Sequence, residues 1–297
     1  MSDLIVSTVA QGLLWSVMAI GLYLTFRTLL IADLSVEGTF PLGAAVAAVL
    51  LDEKHSPATA IFAAGIAGML AGAVTGLLHT KLKIPALLAG ILTMIALYSV
   101  NLRVMGKANL SLLNTDTVYT SLAFLNLSPN MTTFVVGLII AVLIPVLLYM
   151  FFGTEIGMAL RATGNNPQMI RAMGVNTDNM LLLGLVISNG LVAVAGAFIA
   201  QNNGFADVGM GVGTIVIGLA SVIIGEVLFG SKSVKNSLIS VVLGSIVYRI
   251  VIAVVLYLGM PPNDLKLFTA ILVAIALSLP LFKAKWDSRK VGVKCYE

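Results

Sequence analysis

A glycine-rich run, Gly225–Ser233, is the part of this 297-residue chain that comes nearest to a nucleotide-binding motif. One residue too many separates its second glycine from Lys232, and the run follows an apolar segment rather than a strand, so it does not fit a phosphate-binding loop. The two histidines, His55 and His79, are isolated from paired carboxylates, and the single cysteine, Cys295, offers no disulfide or metal cluster. We therefore predict no catalytic residues and no metal site.

Four charged residues interrupt long apolar segments of the chain, namely Asp33, Glu37, Glu226 and Arg249. A charge at membrane depth costs roughly 2.5–3.5 kcal/mol, so such residues usually have a partner or a function. Arg249 could pair with Glu226 or Glu37, or it could line a polar path, and the sequence favours neither. If this chain moves a solute against its concentration gradient, the energy must come from an ion gradient or from another subunit.

The composition of the chain is that of an integral membrane protein. It is 59% hydrophobic and 10% charged, with a mean hydropathy of +1.05, a balance that soluble domains do not have. The formal charge of +4 is dispersed over loops and the C-terminal tail, so it does not indicate nucleic acid as a partner. We predict an all-α membrane bundle in the lipid bilayer, with residues 1–297 forming a single domain.

Nine apolar segments are long enough to cross a membrane, given that a span needs about 20 residues. They cover approximately residues 4–26, 33–51, 57–79, 84–103, 131–152, 178–201, 209–230, 236–258 and 264–282.

Lysine and arginine set the predicted orientation, because cytoplasmic loops are enriched in them. With the C-terminus inside, twelve of the seventeen basic residues face the cytoplasm and four face outside, while Arg249 lies within a span. The N-terminus is then outside. The polar segment 153–177, between spans five and six, and the basic tail 283–297 are then cytoplasmic.

The second span opens with a stretch that is unusual at membrane depth, Asp33–Gly43, which holds two carboxylates, two glycines and a proline. Pro41 cannot donate a helical hydrogen bond, and irregular backbone survives at depth only inside protein or beside a wet cavity. This predicts a broken helix beside a solute pathway. The alternative is a cytoplasmic loop and helix cap in which Asp33 and Ser35 are the capping groups.

The seventh span opens similarly, with Asp207 followed by glycines and then Gly213 and Thr214. The two spans run in opposite directions in the predicted topology, which suits an inverted repeat with unwound ends that meet near the midplane. Glycine-rich helix packing is the alternative. The predicted pathway residues are Glu37, Thr39, Phe40, Gly43, Gly213, Thr214 and Arg249.

The polar segment Gly153–Asn176 carries the pattern Gly157-x-x-x-Arg161-Ala162-x-x-x-Asn166-Pro167, followed by Gly174-x-Asn176. This pattern resembles the cytoplasmic coupling loop of ABC-importer permeases of the branched-chain amino acid and simple-sugar group. The likeness extends from about residue 8 to 282, and it is strongest to amino-acid-type permeases associated with tryptophan or tyrosine uptake.

The resemblance implies a set of partners. In that group two permease copies form the path, two ATPase subunits dock on the cytoplasmic side, and an extracytoplasmic binding protein delivers the solute. ATP and Mg²⁺ would be bound by the ATPase, so no cofactor is expected in this chain. The implied ATPase-coupling residues are Glu155, Gly157, Met158, Arg161, Ala162, Gly164, Asn166, Pro167, Arg171 and Gly174.

Within the implied coupling element, Arg161 and Arg171 would face acidic or polar groups of the ATPase. Met158, Leu160 and Ile170 would fill a groove on it. Pro167 suits the first turn of a second short helix, so the segment should fold as helix–turn–helix.

These observations lead to a functional hypothesis. The chain is expected to be the permease subunit of an ATP-driven importer for an amino acid, with aromatic ones as candidates. It would work by alternating access as a homodimer in the bacterial cytoplasmic membrane. The alternative is a stand-alone ion-coupled transporter or channel in which Asp33, Glu37 and Arg249 handle ions.

Overall fold

Helices occupy every predicted span that lies within the residues described by this computed structural model, which are 2–113, 115–122, 128–259, 264, 267–271 and 274. The α-helices are α1 (Ser2–Leu22), α2 (Val36–Asp52), α3 (Pro57–Thr80), α4 (Ala86–Met105), α5 (Val118–Ser121), α6 (Pro129–Phe152), α7 (Glu155–Asn165), α8 (Pro167–Ala172), α9 (Thr177–Asn203), α10 (Thr214–Phe229) and α11 (Val234–Tyr257). A π-helical turn, Tyr23–Thr28, continues α1, and a 3₁₀ turn, Val208–Gly211, precedes α10.

Seven of the helical segments described here are long and apolar enough to cross a membrane. They are Asp3–Thr28, Pro57–Thr80, Ala86–Met105, Pro129–Phe152, Thr177–Asn203, Val208–Phe229 and Val234–Tyr257. The predicted second span corresponds to α2, which has only 17 residues. The predicted ninth span and the basic tail lie largely outside the described residues. The all-helical membrane architecture is confirmed, and the count of nine stays a prediction.

The loops that the basic-residue pattern predicts to lie on one side of the membrane contact one another. Lys83 Nζ lies 2.8 Å from Asp178 Oδ2, and Arg27 Nε lies 2.9 Å from Glu226 Oε1. At the opposite end, strand β1 (Asn109–Ser111) pairs antiparallel with strand β2 (Phe205–Asp207). The bundle therefore has two distinct ends, a basic one and one bearing a small two-stranded sheet.

Two helices begin inside the bundle rather than at its ends. Gly38, near the start of α2, packs against Met94 and Leu97, halfway along α4. A Cβ atom built on Gly211 would collide with the carbonyl oxygen of Glu37, so the turn that leads into α10 reaches the same depth. Irregular backbone thus enters the bundle from both ends, and here it is enclosed by protein.

The arrangement of the helices supports the inverted repeat. Helix α11 packs along α1 as α3 packs along α9. Helix α2 contacts α9 and its following helix α3, just as α10 contacts α1 and its following helix α11. The local geometry repeats too: Asp33 Oδ1 accepts from Ser35 N at 2.9 Å, and Asp207 Oδ1 accepts from Gly209 N at 2.7 Å.

Candidate functional site: broken helices and a docked helix pair

A buried polar network holds the start of α2 in place. Asp33, only 4% exposed, accepts hydrogen bonds from the Ser35 hydroxyl at 2.6 Å and from Asn189 Nδ2 at 2.8 Å. Asn189 Oδ1 in turn accepts from the hydroxyl of Thr39 at 2.7 Å. Ser35 is the residue that precedes α2, but its side chain makes no capping hydrogen bond to the helix. Asp33 instead fixes Ser35 deep inside the protein.

Sequence reasoning missed Asn189, which lies in the middle of α9. A fully buried amide within an apolar span must find hydrogen-bond partners, and that signal was available. What the sequence does not give is the partner, because Asp33 and Asn189 are 156 positions apart along the chain.

The two broken ends contact each other through Glu37 and Gly213. The carboxylate of Glu37 accepts a hydrogen bond from Gly213 N at 3.0 Å, which satisfies a donor ahead of the first turn of α10. Gly213 has φ +86°, a conformation that glycine adopts without strain. The unwound segments that precede α2 and α10 therefore meet, as predicted.

The helix is not interrupted at Pro41, contrary to the sequence-based interpretation, because α2 continues through it. The irregular segment instead precedes Val36. Pro41 has no N–H to donate to the carbonyl of Glu37, and that carbonyl is the one that Gly211 approaches.

Four predicted pathway residues pack against other parts of the chain in this conformation, and that they line the solute path stays a prediction. Thr39 and Phe40 are fully buried, and Phe40 stacks on Trp15 with a ring-centre distance of 5.4 Å. Gly43 lies directly against the backbone of Ala193 in α9. Thr214 is buried too, and its hydroxyl donates to the carbonyl of Gly211 at 2.8 Å.

Adding a methyl group at Gly43 is expected to separate α2 from α9. A Cβ there would collide with the backbone of Ala193, so Gly43→Ala should destabilise the protein by about 2 kcal/mol. Thermal unfolding of the detergent-solubilised protein measures this. Gly65→Ala is the matched control, since its new methyl meets only the mobile Cγ2 of Val194 at 3.1 Å; equal melting temperatures for the two variants would contradict the prediction.

Arg249 pairs with neither of the carboxylates suggested by the sequence. Glu226 is bound to Arg27, and Glu37 is bound to Gly213. The guanidinium of Arg249 instead lies over the ring of Trp15, 4.2 Å from its centre, and its buried Nε has no hydrogen-bond partner among the described residues. Arg249 and Gly213 line the same cavity, of about 290 Å³.

The segment 153–177 folds as the predicted pair of helices, α7 and α8. The hydroxyl of Thr154 accepts from Gly157 N at 3.2 Å at the start of α7. Asn166 Oδ1 accepts from Met169 N at 3.0 Å at the start of α8, with Pro167 in its first turn. Gly174, with φ +86°, ends the pair.

The helix pair is seated on the membrane helices through close contacts. A Cβ on Gly157 would collide with the carbonyl oxygen of Phe151, and one on Gly164 with that of Thr28. Leu160 and Ile170 are buried within the chain. The prediction that these two side chains fill a groove on a partner is therefore wrong, because they attach α7 and α8 to their own bundle.

The outer face of the helix pair carries a different set of apolar side chains. Four large ones are exposed, between 51% and 70%. They are Ile156, Met158, Met169 and Met173. Met158 was predicted from the sequence, whereas the other three were missed because the direction in which α7 and α8 face depends on their docking.

The charged residues of the segment differ in how they are held. Arg171 Nε donates to the Thr177 hydroxyl at 2.6 Å, and its Nη2 lies 3.7 Å from Asp178. Arg161 is exposed and makes no ion pair within the described part of the chain. With Arg27 and Lys232 it lines a cavity of about 290 Å³ at the basic end. Glu155 is exposed in the first turn of α7, and Ala162 is half-buried.

Comparison with known proteins identifies the family of the chain. Residues 4–277 match the family described as branched-chain amino acid transport system / permease component. A tyrosine transport system permease protein of Clostridioides difficile (strain R20291) is 40% identical over 274 residues, which cover 92% of this chain and 90% of that protein.

Two further relatives are more distant. An uncharacterized protein of Rickettsia prowazekii (strain Madrid E) is 34% identical over 280 residues, 93% of this chain and 97% of the other. An autoinducer 2 import system permease protein of Yersinia pseudotuberculosis is 28% identical over 246 residues, 82% and 67% of the two chains. No solved structure shows significant similarity to the chain. Since the family match covers nearly the whole length, this chain is a multi-pass membrane protein that belongs to the family of ABC-type permease components of branched-chain amino acid transport systems.

Proposed function

We propose that this protein is the translocating subunit of an ATP-driven amino acid importer, with aromatic amino acids as the first candidates. The observation that carries the proposal is the helix pair α7–α8, which presents exposed apolar and basic side chains at one end of the bundle while glycine contacts attach it to the membrane helices. The name of the tyrosine transport relative supports the choice of solute class.

The proposed orientation places the basic end in the cytoplasm of a bacterial cell. Arg27, Arg161 and Lys232 border one cavity there, and the excess of basic residues is the property of cytoplasmic loops. The N-terminus is then outside, and the sheet of β1 and β2 is on the side where a solute-binding protein would deliver its cargo.

The proposed mechanism is alternating access in a dimer of this chain. ATP and Mg²⁺ bind to a separate ATPase subunit, whose closure shifts α7 and α8. Because α7 contacts the end of α1 at Thr28, that shift moves the helices that enclose the broken ends of α2 and α10. A packed interior has discrete arrangements, so such a shift switches the bundle between states rather than bending it.

Co-purification tests the proposed partnership. The tagged protein, extracted from native membranes in mild detergent, is expected to carry a stoichiometric ATPase subunit identified by mass spectrometry. Arg161→Glu should abolish the association, because it reverses an exposed charge on α7 that has no ion pair in the described structure.

Arg103→Glu is the control, since Arg103 is exposed at the other end of the bundle, in the last turn of α4. If the ATPase still co-purifies with the Arg161→Glu variant, α7 is not the docking element. A homo-oligomer without any ATPase, together with uptake driven by an ion gradient, would replace the importer with the stand-alone transporter.

A further inference from the structure

Arg249 lies at the boundary of two cavities in the middle of the bundle. One, of about 290 Å³, is bordered by Val212, Gly213 and Ile217. The other, of about 570 Å³, extends along α1 and α11 and includes Thr8 and Gln11. These volumes are in the range of small-molecule sites.

The depth of Arg249 follows from its contact with Trp15. Trp15 is near the midpoint of the membrane-length segment Asp3–Thr28, and the guanidinium lies 4.2 Å from its ring centre. The positive charge is therefore held about halfway across the bundle, beside the unwound turn that begins α10.

This charge has no compensating carboxylate in the described structure. Arg249 makes no ion pair there, and Asp3, which lines the larger cavity, is not bound to it. Beyond Asp264 at its start, the predicted ninth span contains no acidic residue, and Asp264 makes no ion pair in the described structure. An unpaired arginine at this depth is costly, which favours a role in binding an anionic group.

The surroundings orient the guanidinium for such a role. The guanidinium lies over the ring of Trp15, and its Nε has no hydrogen-bond partner among the described residues. The N–H donors of a guanidinium form the fork that matches the two oxygens of a carboxylate. Trp15 itself is stacked on Phe40, so the ring that carries the arginine is fixed.

The start of α10 adds a second favourable factor. Gly213 borders the cavity, and the N-terminal turn of the 16-residue helix α10 that follows it carries a partial positive charge. The N–H of Gly213 is already used by Glu37, so the helix contributes its field while Arg249 contributes the free donors.

We propose that Arg249 binds the carboxylate of the solute as it passes the middle of the membrane. This inference rests on the proposed function, because it takes the solute to be an amino acid. The permease then selects for carboxylate-bearing solutes independently of the external binding protein.

Uptake by the complete complex in proteoliposomes tests the inference. Wild type is first offered radiolabelled L-tyrosine and a mixture of the other common amino acids, and the solute that is taken up serves as the probe. Arg249→Gln should lower its uptake about tenfold or more, the effect of losing a hydrogen-bonded charge. The melting temperature should not fall, because the variant removes an unpaired charge that is costly at this depth.

Two further variants separate binding from a structural role. Arg249→Lys keeps the charge but lacks the fork, so its KM for the solute should rise several-fold while kcat changes little. Arg103→Gln removes an arginine that is exposed at the end of α4 and should leave uptake unchanged.

The outcomes distinguish the two proposals. Amino acid uptake by wild type that is equally fast in Arg249→Gln, or an unchanged KM in Arg249→Lys, would overturn the carboxylate site and leave the importer standing. A wild-type complex that takes up no amino acid would overturn both.

Discussion

Asn189→Leu is expected to destabilise the protein by about 3 kcal/mol, the largest loss from a single side chain of this size. The change leaves the carboxylate of Asp33 without its partner on α9 and removes one of the two acceptors within reach of the Thr39 hydroxyl. A buried charge stripped of a partner costs about 3–5 kcal/mol. The quantity to measure is the free energy of unfolding in detergent, from thermal or denaturant melts.

Ser188→Ala provides the matched control. Ser188 precedes Asn189 on the same helix and donates to the carbonyl of Gly21 at 2.7 Å, so it makes an ordinary neutral bond between helices. Such bonds contribute about 0.6 kcal/mol on average in membrane proteins. A loss in Asn189→Leu no larger than that in Ser188→Ala would show that the network does not hold α2 in place.

A double variant isolates the pair. In Asp33→Ala/Asn189→Leu no carboxylate is left without a partner, so the combined loss should be smaller than the sum of the two single losses. Additive effects would contradict direct coupling, because residues in contact within one hydrogen-bond network are expected to couple.

The sequence predicted those features whose signals are local. The helix pair was predicted because Pro167 suits the first turn of a second short helix, and in the structure Pro167 does lie in the first turn of α8. The spans were predicted because their apolar length is itself the requirement for crossing a membrane. The described helices confirm the helix pair and seven of the predicted spans.

Features that depend on how the helices pack against one another or against a partner protein were not predicted. Apolar side chains lie on several faces of α7 and α8. The sequence does not show whether the membrane bundle or a partner protein covers a given side chain. Leu160 and Ile170 were therefore predicted to contact the ATPase but are buried within this chain, whereas Met169 and Met173 are exposed. A hydrophobic pattern identifies which face of a helix is apolar, but not which element packs against that face.

The predicted pathway residues also show that packing cannot be predicted from the sequence pattern alone. Glu37, Gly213 and Arg249 are brought to one region, since Glu37 binds Gly213 and Gly213 borders the cavity of Arg249. Phe40 and Gly43 are on other faces of the same helix and pack inward. The irregular backbone near α2 was predicted from composition, although it precedes the helix rather than interrupting it. Which faces of such a helix are buried depends on its neighbours.

Gly164→Val is expected to uncouple ATP hydrolysis from uptake while leaving the ATPase bound. Gly164 is where α7 touches the end of α1, and a side chain there would collide with the carbonyl oxygen of Thr28. The exposed face that includes Met158 is on the other side of α7 and stays available to a partner. Uptake should fall about tenfold, which corresponds to about 1.4 kcal/mol in the free-energy barrier of the transport step.

The measurement compares uptake, ATP hydrolysis and ATPase co-purification in the same proteoliposome preparation. Gly153→Ala is the control in the same segment, because its φ of −80° is ordinary and its new methyl comes no closer than 3.3 Å to Met150 O. If Gly164→Val kept wild-type uptake per ATP hydrolysed, the α7–α1 contact would not be the route by which the ATPase moves the bundle. If it lost the ATPase altogether, the contact would matter for assembly rather than for transmission. Uncoupling with the complex intact is the result that a rigid connection from the docked helix pair to the broken ends of α2 and α10 requires.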